Sequence, residues 1–162
     1  MKKILWFIFI LGILVAISIP VYKKMAQQKQ LAELKTFVTQ ADKSVQDYIQ
    51  EHGVSSKEDK SLLKELSLDL SKFGTVQEKV LKADCGCWKA HIRQGTVDTD
   101  LFVESYINGV NFIHIKYRPY SQREYNCQYL SAVDNGKKFC EQFAAGDKKW
   151  VLIFWMIMPI GK

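Results

Sequence analysis

The stretch ILWFIFILGILVAISIPV, from Ile4 to Val21, decides the fold because it predicts the first half of a long helix. Its eighteen residues include no charged side chain. At about 1.5 Å of rise per helical residue it extends roughly 27 Å, just enough to cross the hydrocarbon core of a bilayer. Pro20 removes one backbone donor and predicts a kink. The stretch therefore predicts a membrane-spanning helix.

The predicted helix continues beyond the apolar stretch with an amphipathic pattern. Apolar residues recur at steps of three and four, which places them on one helical face. They are Leu31, Leu34, Val38, Ala41, Val45 and Tyr48. His52-Gly53 predicts the end of the helix, since glycine readily adopts the left-handed conformation found there. We expect one helix in two environments, with residues 1–22 in lipid and residues 23–53 on a folded domain.

Residues 12–22, GILVAISIPVY, resemble the G-I-L-A-A-I-A-I-P-x-Y signature of the type IV pilin family, which includes the pseudopilins of type II secretion. Three further segments add to the resemblance. Residues 48–53 resemble the end of the long pilin helix, and residues 66–70 resemble the short acidic-apolar segment that follows it. Residues 126–140 resemble the C-terminal disulfide loop of many pilins. The resemblance is spread over nearly the whole chain.

The resemblance implies an α+β fold: a long N-terminal helix packed on an antiparallel sheet of about four strands. The head would occupy residues 54–162, with a helix–sheet connection at 54–87 and the sheet and disulfide loop at 88–162. The apolar helix would lie in the membrane and then in the filament core. The residues expected there are Ile4, Leu5, Phe7, Ile8, Leu11, Gly12, Leu14, Ile17, Pro20 and Tyr22.

The resemblance implies a structural function. The chain would be a minor or atypical subunit of a pilus or of a secretion pseudopilus. Its partners would be other pilin-like subunits, membrane lipid, and an inner-membrane assembly platform with its ATPase. Such a subunit needs no cofactor. Motility, adhesion and protein secretion are all roles that such filaments serve.

One position departs from the family. The family has a glutamate nine residues before the glycine that matches Gly12, and this chain has Lys3 there. A cation in an apolar filament core is costly, so the role of the glutamate does not transfer. The leader glycine of the family would lie before Met1. Either a leader precedes Met1, or the chain is not processed as a standard pilin.

The topology is predicted from the cysteines rather than from the lysines. Lysines lie on both sides of the apolar stretch, so the positive-inside rule does not decide its orientation. Four cysteines in 162 residues suit an oxidising compartment. We therefore expect the N-terminus in the cytoplasm and the head in the periplasm or at the cell surface.

The apolar stretch has two alternative interpretations, a cleaved signal peptide and a plain single-span anchor. The net charge of +6 is expected mainly to keep the protein soluble.

The head is predicted to begin with packing segments and continue with strands. Leu62, Leu63 and Leu66 predict a short helix, and residues 74–83 a second short segment. Apolar and polar residues alternate over residues 88–93, which predicts a half-buried strand. Asn108-Gly109 between two apolar segments predicts a hairpin, because both residues accept positive φ. Residues 150–158, WVLIFWMIM, predict a buried strand.

The predicted contact between helix and sheet forms the core of the head. It places the long helix on one face of the sheet, as in other α+β domains. The residues expected in it are Leu34, Val38, Val45, Tyr48, Trp88, Phe112, Ile115, Val151 and Ile153.

The cysteines allow several arrangements. The resemblance implies a Cys127–Cys140 disulfide that closes a surface loop, worth about 3 kcal/mol on the chain-entropy model. Cys85 and Cys87 could pair with each other, pair with Cys127 and Cys140, or stay reduced. A zinc site built from the four cysteines and His91 is less favoured, because the spacing is not that of a zinc knuckle.

Enzymatic motifs are missing from the sequence. It has no phosphate-binding glycine loop and no H-E-x-x-H, and the three histidines are expected at a helix end and on strands. Residues 116–125 interleave basic and aromatic residues, a mixture that suits nucleic acid, but a strand end and an exposed loop are favoured. The second hypothesis for the whole chain is an anchored periplasmic binding or adhesion module that never polymerises. A third is an exported thiol or metal protein.

Overall fold

The computed structural model describes residues 2–130 and 134–155, and the side chains of Trp6 and of residues 18–130 and 135–154. Within these limits the chain is an α+β protein with two α-helices and one sheet. The helices are α1 (Lys2–His52) and α2 (Asp134–Ala144). The strands are β1 (Lys60–Ser61), β2 (Gly74–Gln77), β3 (Val80–Ala83), β4 (Trp88–Gln94), β5 (Thr99–Ser105), β6 (Asn111–Tyr117), β7 (Glu124–Leu130) and β8 (Trp150–Trp155).

The long N-terminal helix is confirmed. α1 runs through 51 residues with Pro20 inside it. It ends where the sequence predicts: Gly53 has φ +86°, and its N–H donates a 2.8 Å hydrogen bond to the carbonyl of Ile49. Glycine is favoured at this position because the left-handed conformation carries no Cβ penalty.

The predicted sheet of about four strands is wrong, because the sheet has eight strands in the described residues alone. Seven of them follow the order β2-β3-β4-β5-β6-β7-β8, and β1 pairs with β4 beside β3. Every pairing is antiparallel except that of β7 with β8, which is parallel and connected through α2. The four strands that the prediction missed are β1, β2, β3 and β7, of which the first three are short and β7 contains several polar residues.

The connection between helix and sheet contributes three of the added strands, β1, β2 and β3. The predicted short helix is a single turn, in which the N–H of Leu66 reaches the carbonyl of Leu62 at 3.1 Å. β2 and β3 form a hairpin in which Gln77 pairs with Val80. Glu78 in that turn has φ +54°, a conformation that glutamate rarely adopts, so the sequence carries no hairpin signal there.

The strand and hairpin predictions for the centre of the sheet are confirmed. β4 alternates between buried and more exposed residues, beginning with buried Trp88. β5 and β6 pair from Thr99–Tyr117 to Ser105–Asn111. Asn108 and Gly109 in the connection have φ +57° and +106°, as the turn requires.

The core lies between α1 and one face of the sheet, the inner face. Phe37 of α1 stacks on Trp88 of β4 with ring centroids 4.7 Å apart. Six residues predicted for this core are buried: Leu34, Val38, Val45, Tyr48, Trp88 and Ile115. Their burial follows from the 3.6-residue period of the helix and the two-residue period of the strands.

Three residues predicted for the core are not in it. Phe112 is half-buried on the outer face of the sheet, because it lies three residues from Ile115 and the side chains of a strand alternate. Val151 and Ile153 pair with Asn126 and Gln128, which places them on the outer face too. Val151 is 56% exposed and Ile153 is half-buried. Residues 150–158 are apolar without interruption and show no alternation of apolar and polar residues. Their sequence therefore does not indicate which face of the strand is buried.

The expected surface loop between the C-terminal cysteines is largely a helix. α2 carries Phe139, Cys140 and Phe143 on its buried side and contacts β6, β7 and β8. Residues 131–133 of the expected loop, and residues 156–158 of the expected last strand, lie outside the described residues. β8 is an edge strand, and Leu152 and Phe154 on its inner face are 37% and 47% exposed. It is therefore less buried than predicted.

Candidate assembly surface

α1 divides into a covered and an uncovered part. From Ile19 to Lys29 every residue is exposed except Ala26, which is intermediate. From Leu34 onward, buried residues recur on the side that faces the sheet. The helix therefore extends beyond the sheet at its N-terminal side, and the described part of the head does not cover it there.

The uncovered part of α1 carries large apolar side chains. Ile19 and Val21 are each 53% exposed, Met25 is 63% exposed and Tyr22 is 76% exposed. Trp6, further toward the N-terminus, is 70% exposed. Exposed apolar patches of this kind mark surfaces that bind a membrane or another protein. We call Ile19, Val21, Tyr22 and Met25 the apolar collar.

The residues predicted for the membrane and filament core lie on this side of α1. Pro20 and Tyr22 are exposed within the helix. The others belong to residues whose side chains lie outside those described; they are Ile4, Leu5, Phe7, Ile8, Leu11, Gly12, Leu14 and Ile17. In the part of the chain that the structure describes, no helix combines the length and the apolar character that crossing a membrane requires.

A buried carboxylate fixes the covered part of α1 to the sheet. Asp42 is only 7% exposed. Its Oδ1 accepts a 2.6 Å hydrogen bond from the hydroxyl of Tyr117 on β6, and its Oδ2 accepts a 3.1 Å bond from the hydroxyl of Tyr125 on β7. Lys149 Nζ lies 3.8 Å from Oδ2 and Arg123 Nη1 lies 3.9 Å from Oδ1. A buried charge needs such partners, because its transfer out of water is otherwise costly.

The same cluster shifts the ionisation of both tyrosines. Burial, followed by the negative charge of Asp42, raises the pKa of Tyr117 far above its ordinary value. Burial, again followed by the charge of Asp42, raises the pKa of Tyr125 to about 12. Both phenols therefore stay protonated and remain donors at neutral pH. Sequence reasoning missed this cluster, although Asp42 lies four residues after Val38 and hence on the buried helical face.

The basic and aromatic segment 116–125 has a structural role in part. Its residues form the end of β6, an exposed loop and the start of β7, as the favoured interpretation predicts. Tyr117 and Tyr125 bind Asp42, and Arg118 forms an ion pair with Glu124 at 2.7 Å. Tyr120 projects from the loop fully exposed, with φ +62°.

The outer face of the sheet carries a row of rings between ion pairs. Phe102 of β5 stacks on His91 at 5.0 Å and meets the edge of His114 at 5.8 Å. His114 Nε2 lies 3.0 Å from Asp100 Oδ1. Burial, followed by the charge of Arg93, lowers the pKa of His91. His91 and His114 are thus cross-strand residues, as predicted, and the structure does not bring them to the cysteines as one site.

All four cysteines form disulfides. The Cys127–Cys140 pair implied by the resemblance is confirmed, and Cys85 pairs with Cys87. This removes the thiolates that the zinc hypothesis requires, since disulfide sulfurs are not thiolate ligands. Within the described part of the chain, no group of three or more histidine, cysteine or acidic side chains is placed to hold a metal ion.

Comparison of the chain with protein-family models, with curated proteins and with solved structures finds no match.

Proposed function

We propose that the chain is a structural subunit of a filament of the type IV pilus or type II secretion pseudopilus kind. The observation that supports the proposal most is the apolar collar, which projects from the head on a continuous helix. A side chain of this size gains about 1.5–3 kcal/mol when it is fully buried. Four of them on one helix segment are a strong driving force for association with lipid or with like helices.

The two parts of α1 suit two successive environments. The covered part is held on the head by the core and by Asp42, so the head keeps one position on the helix. The uncovered part is free to exchange lipid for the helices of neighbouring subunits. The membrane side of the proposal is supported by the sequence run from Ile4 to Ile17, which contains no charge.

The proposed location is the inner membrane, with the head in the periplasm before assembly and at the cell surface afterwards. The two disulfides support it, because such bonds persist in oxidising compartments. The proposed partners are other pilin-like subunits, membrane lipid, and an assembly platform with its ATPase. Lys3 in place of the family glutamate favours a minor or atypical subunit.

Shearing of the cells that produce the chain tests this function. The chain should appear both in the sheared filament fraction and in the membrane fraction. A variant with Ile19→Ser, Tyr22→Ser and Met25→Ser should be lost from the sheared fraction, because the collar no longer gains from burial between helices. Far-UV circular dichroism of the purified variant checks that it folds.

The matched control changes polar residues on the same stretch of helix. Gln27→Ser with Gln28→Ser alters exposed positions without removing apolar area, so it should be recovered in the sheared fraction like the parent. If the parent chain stays entirely with the membranes, the filament proposal is wrong and an anchored module takes its place. If both variants are lost to the same extent, the collar is not the assembly surface.

A further inference from the structure

The turn between β3 and β4 carries a disulfide that closes over a single residue. Cys85 and Gly86 are exposed, whereas Cys87 is half-buried and packs against the core. A Cβ added to Gly86 would meet no heavy atom within 4 Å outside the two neighbouring cysteines. The solvent side of this small ring is therefore open to an approaching molecule. The other disulfide differs, since Cys127 and Cys140 have no exposed surface.

The backbone of this turn is held independently of the sulfurs. The N–H of Gly86 donates to the carbonyl of Ala83 at 2.9 Å, and the N–H of Tyr106 donates to the carbonyl of Cys87 at 2.8 Å. β3 and β4 also pair directly, at Leu81 with Ala90. Opening the bond between the sulfurs leaves these contacts in place. The head should therefore remain folded when this disulfide is reduced.

The two sulfurs differ in their surroundings. The backbone N–H of Cys87 points at Cys85 Sγ, with the nitrogen 3.3 Å from the sulfur. A donor at this position stabilises negative charge on Cys85, which favours its thiolate. Cys85 is also the more exposed of the two residues. Access therefore selects Cys85 as the sulfur that a partner contacts, and the donor assists the later departure of Cys85 as a thiolate.

We propose that Cys85–Cys87 is a thiol–disulfide exchange site that takes a dithiol as its reaction partner. One thiolate of the dithiol attacks Cys85 Sγ, the bond between the two sulfurs breaks, and its electron pair leaves on Cys87, which takes up a proton. The second thiolate of the dithiol then attacks the partner sulfur of the mixed disulfide, and Cys85 leaves as a thiolate and is protonated. The dithiol loses two electrons and two protons, and Cys85 and Cys87 become thiols.

Selective reduction of the full, folded chain tests the proposal, with dithiothreitol as the dithiol. Free thiols are blocked with an alkylating reagent after each incubation, and the two cysteine pairs are followed by peptide mass spectrometry. Cys85–Cys87 should open at least about tenfold faster than Cys127–Cys140, while far-UV circular dichroism stays unchanged. If the two pairs open together, only on unfolding, or not at all, the proposal is wrong. The proposed filament function does not enter this test.

Two single variants identify the sulfur that meets the partner. Cys87→Ser leaves Cys85 as a free thiol, and Cys85→Ser leaves Cys87. With oxidised glutathione, the chain that keeps Cys85 should form the mixed disulfide about tenfold faster, because that thiol is exposed and faces a donor. Equal rates, or a faster reaction at Cys87, would overturn the assignment of Cys85. The parent chain reduced with dithiothreitol provides the same comparison without any substitution.

Discussion

The hydroxyl of Tyr117 donates a 2.6 Å hydrogen bond to Oδ1 of Asp42, across 75 residues of sequence. The bond joins the long helix to the sheet at a site where the carboxylate is largely buried. The two donors on β6 and β7 meet this carboxylate in one register of the helix, so the bonds add to the specificity of the packed core. Asp42 and the core contacts together hold the head on the part of α1 from Leu34 onward.

Removal of this donor should destabilise the head. Tyr117→Phe leaves a buried carboxylate with one partner fewer, so the free energy of unfolding should fall by about 1–3 kcal/mol in urea titrations. Tyr106→Phe is the matched control, since its hydroxyl binds Glu104 at the exposed surface. The control should change the free energy by less than about 0.5 kcal/mol. Equal effects of the two variants would contradict a role for the buried bond.

The raised tyrosine pKa values predict a loss of stability in alkali. A phenol ionises near pH 10 in the unfolded chain but near pH 12 at Tyr125 when folded. The contribution of each such tyrosine to stability is therefore fully present below pH 10. Above pH 10 the free energy of unfolding falls by about 1.4 kcal/mol per pH unit for each of them, as the pH rises toward the folded-state pKa. Urea titrations between pH 9 and 11.5 should show this slope, and Tyr125→Phe should reduce it. An unchanged slope in the variant would show that groups other than Tyr125 cause the loss.

The pair on the outer face predicts a loss of stability in acid. Burial opposes ionisation of Asp100, but its hydrogen bond with His114 and the nearby cations outweigh burial and lower its pKa. Its contribution is therefore present above about pH 4 and lost as the pH falls through the lowered value. Asp100→Asn should lower the free energy of unfolding by about 1 kcal/mol at pH 7. The difference from the parent should vanish once the pH lies below the lowered pKa of Asp100. A difference that persists in acid would show that packing, not charge, is responsible.

The two parts of α1 should respond differently to loss of apolar volume. Leu34→Ala opens a cavity in the core and should cost about 2–5 kcal/mol of unfolding free energy. Met25→Ser changes an exposed side chain and should cost less than about 0.5 kcal/mol in the isolated chain. Thermal and urea unfolding of the purified variants measure both. A large loss with Met25→Ser would mean that part of the same chain covers the collar.

Much of the fold can be predicted from the periodicity of the apolar residues. The wrong predictions of strands and buried faces fall where that periodicity is absent. The apolar spacing of α1 predicts its buried face, and Asn108-Gly109 predicts the central hairpin, because both signals are local. β2 and β3 turn through Glu78, whose positive φ depends on the rest of the sheet. The apolar run of β8 has no alternation from which a face could be assigned.

The cluster of Asp42 with Tyr117 and Tyr125 cannot be predicted from apolar periodicity. Asp42 lies within the apolar stripe of α1, and a charge at that position predicts a buried partner. The sequence does not say that Tyr117 and Tyr125 supply it, because 75 and 83 residues separate them from Asp42. Only the register of β6 and β7 on the helix brings the three side chains together.

The parallel pairing of β8 sets an order for building the sheet. β4 to β7 join neighbour to neighbour through short connections, so they can form while the chain is still being made. β8 can align with β7 only after α2 has crossed between them, and it emerges last. An edge strand is paired on one side only, so the amide protons of β8 should exchange before those of β5 and β6. The strand that joins after α2 is thus also one that opens more readily than the centre of the sheet.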